Sequence, residues 1–262
     1  MIIDDDSFLD AVRARYRVDP CRVSCIALWK VEQLCRASET HIVRAGAHTA
    51  LYAVRDGRLE FYWSDDREHF ALSHVGVAAL DFLVLHEDDY LLVSSCLKDY
   101  EVSESYPLIY EGPDCASVPV HDDVYVADFD FGRGESFVDA AELLNGCYPG
   151  HRHTAEEVAT WCDLAVFDPS LWFWVRRSAD DEALALAIST YQVSIRETYL
   201  DWIQVLPPAR GRGLGHLLVA ETLCRALPKS DVVRVTGMAD DFYRKCGFVG
   251  RERWRIASRR WQ

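Results

Sequence analysis

The stretch "VLPPARGRGLGHLL" (residues 205–218) decides how the chain is read. An apolar strand end meets two prolines. Glycines then follow at every second position, 211, 213 and 215, with Arg210 and Arg212 interleaved, and a leucine-rich helix begins. At a helix N-terminus several backbone N–H groups lack internal partners and carry the positive end of the dipole. Glycine lets such a backbone come close to an anion, and arginine adds charge matched to phosphate oxygens. A tight left-handed turn would need one glycine. Three glycines and two arginines go beyond that and point to an anion site. The spacing G-x-x-x-x-G-K-[ST] is absent because no lysine follows a glycine here. The dinucleotide spacing G-x-G-x-x-G is absent because His216 stands at the third place.

Outward from this loop, "LWFWVRR", "ALALAIST" and "TYLDWIQVLP" read as three successive strands, the first two joined by "SADDE". "GHLLVAETLCRAL" reads as a helix with Leu217, Ala220, Cys224 and Leu227 on one stripe. "DVVRV" is a further strand, "ADDFYRKC" a short helix and "GFVGRERWRIA" a closing strand. Upstream, "DVYVADFDF" is a strand, and "ESFVDAAELLNGCY" a helix closed by Asn145-Gly146. "TAEEVATWCDLAV" starts a helix with Thr154 and Glu157 at capping-box spacing. In the first half, "LYAVRDGRLEFYWS" (51–64) is a β-hairpin turning on Asp56-Gly57, and "DDSFLDAVRARY" is helical. "EGPDCASVPVHDD" (111–123) has linker composition. The expected architecture is α+β: a mixed, mostly antiparallel sheet flanked by helices on both faces, with one domain over 1–120 and another over 121–262.

At 262 residues and 50% hydrophobic, the chain has enough apolar surface for one large or two small cores. The net charge is −14. Residues 1–150 carry 28 acidic and 12 basic side chains, whereas 151–262 carry 14 and 16. This balance argues against a nucleic-acid partner, leaves the second half able to hold a small polyanion, and suits a cationic substrate. The acidity serves solubility equally well. Nine cysteines without zinc-site spacing, an acidic opening "MIIDDDSFLD", and no apolar run of membrane-spanning length set the expectation of reduced thiols in a cytoplasmic protein with no membrane association.

Val205-x-Pro207-x-x-Arg210-x-x-Gly213-x-Gly215 resembles the pyrophosphate-binding motif of the GNAT superfamily of acetyl-CoA-dependent N-acyltransferases. "ADDFYRKCGFVG" (239–250) is similar to that family's second cofactor motif, with Ala239, Tyr243, Gly247 and Phe248 in step. The resemblance covers the C-terminal half. It implies transfer of an acetyl group from acetyl-CoA, as co-substrate, to an amine by direct attack, with no metal. It implies main-chain cofactor contacts from Ile203 and Val205, and diphosphate contacts from Arg210, Gly211, Arg212, Gly213, Leu214 and Gly215. Thr236 stands where the family often has an asparagine, and a hydroxyl replaces only part of an amide's hydrogen bonding. Tyr243 matches the family's thiolate-side proton donor; a packing tyrosine beside Phe242 and Phe248 is the alternative.

The acceptor amine must lose a proton to attack, so a base is needed. Asp201 is the first candidate and Glu197 the reserve. By strand alternation both share a face with Tyr199, Ile203 and Val205. Some family members that acetylate aminoglycosides carry an acid at the place of Asp201. A carboxylate paired with Arg176 or Arg196 is the structural alternative. Cys246 reads as a packing thiol, His151-x-His153 as a surface loop, and "RERWRIASRR" (251–260) as a strand with a solvated face. Residues 1–120, whose glycines (46, 57, 76 and 112) never approach the loop spacing, are either a degenerate sister of the C-terminal domain or a separate α+β module walling the substrate site. The expected partner is a small-molecule or peptide amine of positive charge, for a monomer or a homodimer. The rival to an N-acetyltransferase is a catalytically inactive CoA-binding sensor or interaction module.

Overall fold

Asp56 and Gly57 both adopt positive φ, 47° and 74°. That backbone turn matches the twist of the strands it joins, so His48–Arg55 and Arg58–Ser64 form the expected hairpin. These coordinates come from a computed structural model. It describes residues 5–65, 72, 75–113, 122–148, 150, 152–237, 241–250 and 252–260. Most of the expected linker, 114–121, lies outside the described residues.

In chain order the elements are α1 (Asp5–Val18), α2 (Pro20–Val23), α3 (Leu28–Arg36), β1 (Glu39–Ala45), β2 (His48–Arg55), β3 (Arg58–Ser64), β4 (Phe82–His86), α4 (Glu87–Val93) and β5 (Tyr100–Tyr110). There follow β6 (Val124–Asp128), α5 (Gly134–Cys147), α6 (Ala155–Thr160), β7 (Phe167–Arg177), β8 (Ala183–Gln192), β9 (Glu197–Val205), α7 (Leu214–Ala226) and β10 (Val232–Gly237). The chain ends with α8 (Asp241–Lys245), the two-residue β11 (Phe248–Val249) and β12 (Trp254–Arg259). Two compact units result. The first holds residues 1–108, 236–244 and 249–262, and the second holds 109–235 and 245–248.

In the first unit the strand order is β1-β2-β3-β4-β12-β5, and only β3 and β4 run parallel. The closing strand, read from sequence as part of the second half, therefore belongs to the first unit's sheet. Sequence distance hides such a pairing because the partners of Ala257, Leu83 and Val102, lie over 150 positions upstream. Ala257 is buried with Leu59, Tyr62, Leu83 and Tyr100 in one core. Trp254 is fixed by burial and by donating its indole N–H to the Cys21 carbonyl at 2.9 Å.

In the second unit the order is β6-β7-β8-β9-β10, antiparallel except for β9 with β10. α7 buries Leu214, Leu217 and Leu218 against Phe173, Val175, Ala185, Ala187, Ile203 and Val205. On the same unit Phe129, Phe131 and Phe167 cluster about the fully buried Trp172. Both units thus show helices, then three antiparallel strands, then a strand parallel to the third. α5 runs through Asn145-Gly146 to Cys147 instead of ending there. The Asn145 side chain, expected to close the helix, bonds the main chain of His153 twice, at 2.8 and 2.9 Å. Thr154 caps α6 as expected, accepting from the Glu157 N–H at 3.2 Å.

A carboxylate placed at Ala257 would lie unpaired in the first unit's core. Ala257→Asp is expected to destabilise the protein by about 3 kcal/mol or more, measured as a lowered urea midpoint, whereas Ser258→Asp one residue on should change it far less.

Candidate functional site

β9 ends at Val205 and the chain turns through a single 3-10 turn, Pro207–Ala209, whose Ala209 is buried. Gly211 (φ 76°) and Gly213 (φ 83°) are then left-handed, where a Cβ is disfavoured. Gly213 is the N-cap of α7 and supplies no side-chain cap. The first ladder bond of the helix runs from the Leu217 N–H to the Gly213 carbonyl, so the amides of Leu214, Gly215 and His216 stand ahead of it. A Cβ built on Gly211 meets nothing within 4 Å, so the space over the loop is open. Leu214 is 1% exposed and so offers only its main chain.

Both arginines are exposed at this loop, and each already has a partner. Arg210 donates from Nε to the Val205 carbonyl at 3.1 Å, holding its guanidinium beside the strand end. Arg212 pairs with the carboxylate of Asp123, a partner that sequence spacing did not reveal. Exposed pairs of this kind are worth about 0–1 kcal/mol, so an incoming phosphate competes readily for Arg212. Open space, left-handed glycines, amides at the start of a 13-residue helix and two guanidinium groups fit a diphosphate.

Where β8 faces β9, Ile188 pairs with Trp202 but Ser189 pairs with Leu200. Asp201 is therefore the extra residue of a β-bulge. A bulge reverses side-chain alternation beyond it. The expected common face for Glu197, Tyr199, Asp201, Ile203 and Val205 does not exist. Ile203 and Val205 pack toward α7. Half-buried Asp201 instead accepts from the Thr190 hydroxyl at 2.8 Å, and Thr190 is paired with Tyr199. β9 and β10 pair in parallel from Glu197–Val232 to Leu200–Val235. Among the described residues that ladder stops at the bulge, which leaves the β10-side edge of Ile203 and Val205 outside it.

Glu197 is 3% exposed and faces Arg234, itself fully buried, at 3.6 Å. The Glu197 carboxylate is tied to Arg234, and neither Arg176 nor Arg196 is its partner. Arg176 bonds Asp181 and Arg196 bonds Asp231. The strand pairing that brings Arg234 beside Glu197 is long-range, so the sequence carried no sign of it. Glu197 is sealed from a substrate.

Thr236 donates its hydroxyl to the Cys25 carbonyl, which commits its one proton within the first unit. Tyr243 lies half-buried on α8, in the first unit, with its ring 4.9 Å from Phe242. Burial pushes the Cys246 thiol up to about 11, so it stays protonated and unreactive at neutral pH. Among the described residues no cluster of three metal-ligating side chains occurs, and no helix is long and apolar enough to cross a membrane.

Residues 170–250 match the family model described as an acetyltransferase (GNAT) domain. No curated protein matches the chain. Among solved structures, a GCN5-related N-acetyltransferase from Sphaerobacter thermophilus aligns with a TM-score of 0.68 at 13% identity, over 92% of this chain and 90% of its own. An acetyltransferase from the GNAT family of Colwellia psychrerythraea aligns at 0.63 and 12% identity, over 98% of each chain. A tandem GNAT protein from the clavulanic acid biosynthesis pathway aligns at 0.60 and 12% identity, over 97% of this chain and 94% of its own. At these identities the likeness is one of fold.

Removing one member of a buried ion pair strands the other charge. Glu197→Ala is expected to cost about 3 kcal/mol of stability, read from chemical denaturation. Arg210→Ala should leave stability within about 0.5 kcal/mol while weakening acetyl-CoA in calorimetry by about tenfold.

Proposed function

On the premise that residues 170–250 form a domain of the GNAT superfamily, we propose that the protein transfers an acetyl group from acetyl-CoA to a primary amine of a small molecule or peptide, by direct attack in a ternary complex. The observation that carries this reading is the glycine loop: Gly211 and Gly213 at positive φ, with open space beside Gly211, leading into the N-terminus of α7, which its N-cap Gly213 leaves without a side-chain cap.

Acetyl-CoA supplies the activated acyl group as a thioester. The chain's own residues have separable tasks. The amides of Leu214, Gly215 and His216 and the guanidinium groups of Arg210 and Arg212 hold the diphosphate. The main-chain groups of Ile203 and Val205, on the edge released at the bulge, bind an extended arm as an added strand would. Asp201, half-buried and aligned by Thr190, attracts the ammonium form of the acceptor and takes its proton. Tyr243 is the motif's donor to the departing thiolate, a role resting on the motif. The engaged hydroxyl of Thr236 assigns its place to structure, so we give it no cofactor contact. The protein acts in the cytoplasm as a monomer or homodimer in this reading, and the first unit is a degenerate sister that has lost its own loop. The link between β3 and β4 opens with two aspartates, Asp65 and Asp66, and holds a single glycine, Gly76.

The test is release of free thiol from acetyl-CoA with a panel of primary amines. Asp201→Asn is expected to lower kcat/KM about 10²-fold or more, and Tyr243→Phe to lower kcat similarly with acetyl-CoA affinity kept. Tight acetyl-CoA binding with no thiol released for any amine would establish the rival, an inactive CoA-binding module.

A further inference from the structure

Trp172, Ile188 and Trp202 form one cross-strand row on β7, β8 and β9, on the sheet face opposite the one that packs against α7. Trp161, just after α6, stacks on Trp202 with ring centroids 5.9 Å apart and planes within 4°. His153 stands edge-on to both indoles, at 5.5 and 5.2 Å. Its main chain is held by paired bonds to the Asn145 side chain. Tyr148 meets Trp202 at 6.2 Å and is 42% exposed. Trp161, Trp202 and His153 are only half-buried, so solvent reaches this group of rings. Asp201 precedes Trp202 in the bulge and turns its carboxylate to the same face, where Thr190 holds it.

Aromatic faces are electronegative and attract cations, most strongly at indole, and a neighbouring carboxylate adds to that field. The remaining polar groups of the wall are engaged with one another. Gln204 donates to the Tyr148 oxygen at 3.3 Å, Thr190 donates to Asp201, and the His153 ring bonds Glu157 at 3.1 Å. An acceptor rich in hydroxyls would compete with these bonds at each hydroxyl, whereas an ammonium on an apolar body needs only the ring faces and the spare acceptor capacity of the Asp201 carboxylate.

We propose that Trp161, Trp202, His153 and Tyr148, with Asp201, form the acceptor subsite, and that it selects a primary amine carried on an alkyl or arylalkyl body over a polyhydroxylated amine. The proposal rests on the acetyl-transfer reading for its biological sense, but binding tests it separately. Calorimetric titration of the full chain, without acetyl-CoA, uses phenethylamine and glucosamine as probes at neutral pH. Phenethylamine is expected to bind at least about tenfold more tightly. Trp202→Ala should weaken it about tenfold or more, Trp202→Phe should restore most of the loss, and Asp201→Asn should weaken it again. In turnover, Trp202→Ala should raise KM for the amine more than it lowers kcat and leave KM for acetyl-CoA unchanged. Equal or tighter binding of glucosamine, or phenethylamine affinity indifferent to Trp202→Ala and Asp201→Asn in folded variants, overturns the subsite. Phenethylamine bound as expected but never acetylated would instead overturn acetyl transfer and leave the subsite standing.

Discussion

A residue without an opposite number in its ladder cannot be passed over quietly: it must break the sheet's hydrogen bonding on one side or the other. Asp201 is that residue. Because it interrupts β9, the parallel pairing with β10 ends at Leu200, and the strand beyond keeps its bonds to β8 while its other edge is released. The same interruption reverses the faces of the strand. Ile203 and Val205 come to anchor α7, and Trp202 turns to the far side. The strand then leads through the turn of Pro207–Ala209 into the glycine loop. One inserted position thus sets the place of the carboxylate, the edge of Ile203 and Val205 outside the β10 ladder, and the anchoring of α7.

What the sequence disclosed was local. The Asp56-Gly57 turn, the Thr154 cap and the glycine loop each depend on residues within a few positions of one another, and each is found as the residue chemistry requires. The misreadings share a different cause. Alternation along "ETYLDWIQV" placed Asp201 with Ile203 because nothing in that string marks a bulge. The pairs Glu197–Arg234, Arg212–Asp123 and Thr236–Cys25 join residues far apart in the chain. The cluster of Trp161, Trp202, His153 and Tyr148 is assembled from four separate segments, and no spacing rule could gather them.

The two units follow one element order, yet their chemistry diverges at a single connection. Between β9 and α7 stand left-handed glycines and arginines. The sequence between β3 and β4 opens with aspartates and keeps the one parallel pair to two registered residues, Arg58–Phe82 and Leu59–Leu83. The first unit is a scaffold whose stability comes from its buried apolar side chains.

The placement of β12 between β4 and β5 bears on how the chain matures as it leaves the ribosome. Domains made early in translation usually fold first. Here the unit begun earliest must wait for residues 254–259 to emerge, and until then β4 and β5 expose unsatisfied edges on which strangers can add. The unit bearing the glycine loop is complete in sequence by residue 248, so it can settle while its older neighbour is still open, and that interval is when the nascent protein most needs a chaperone's cover.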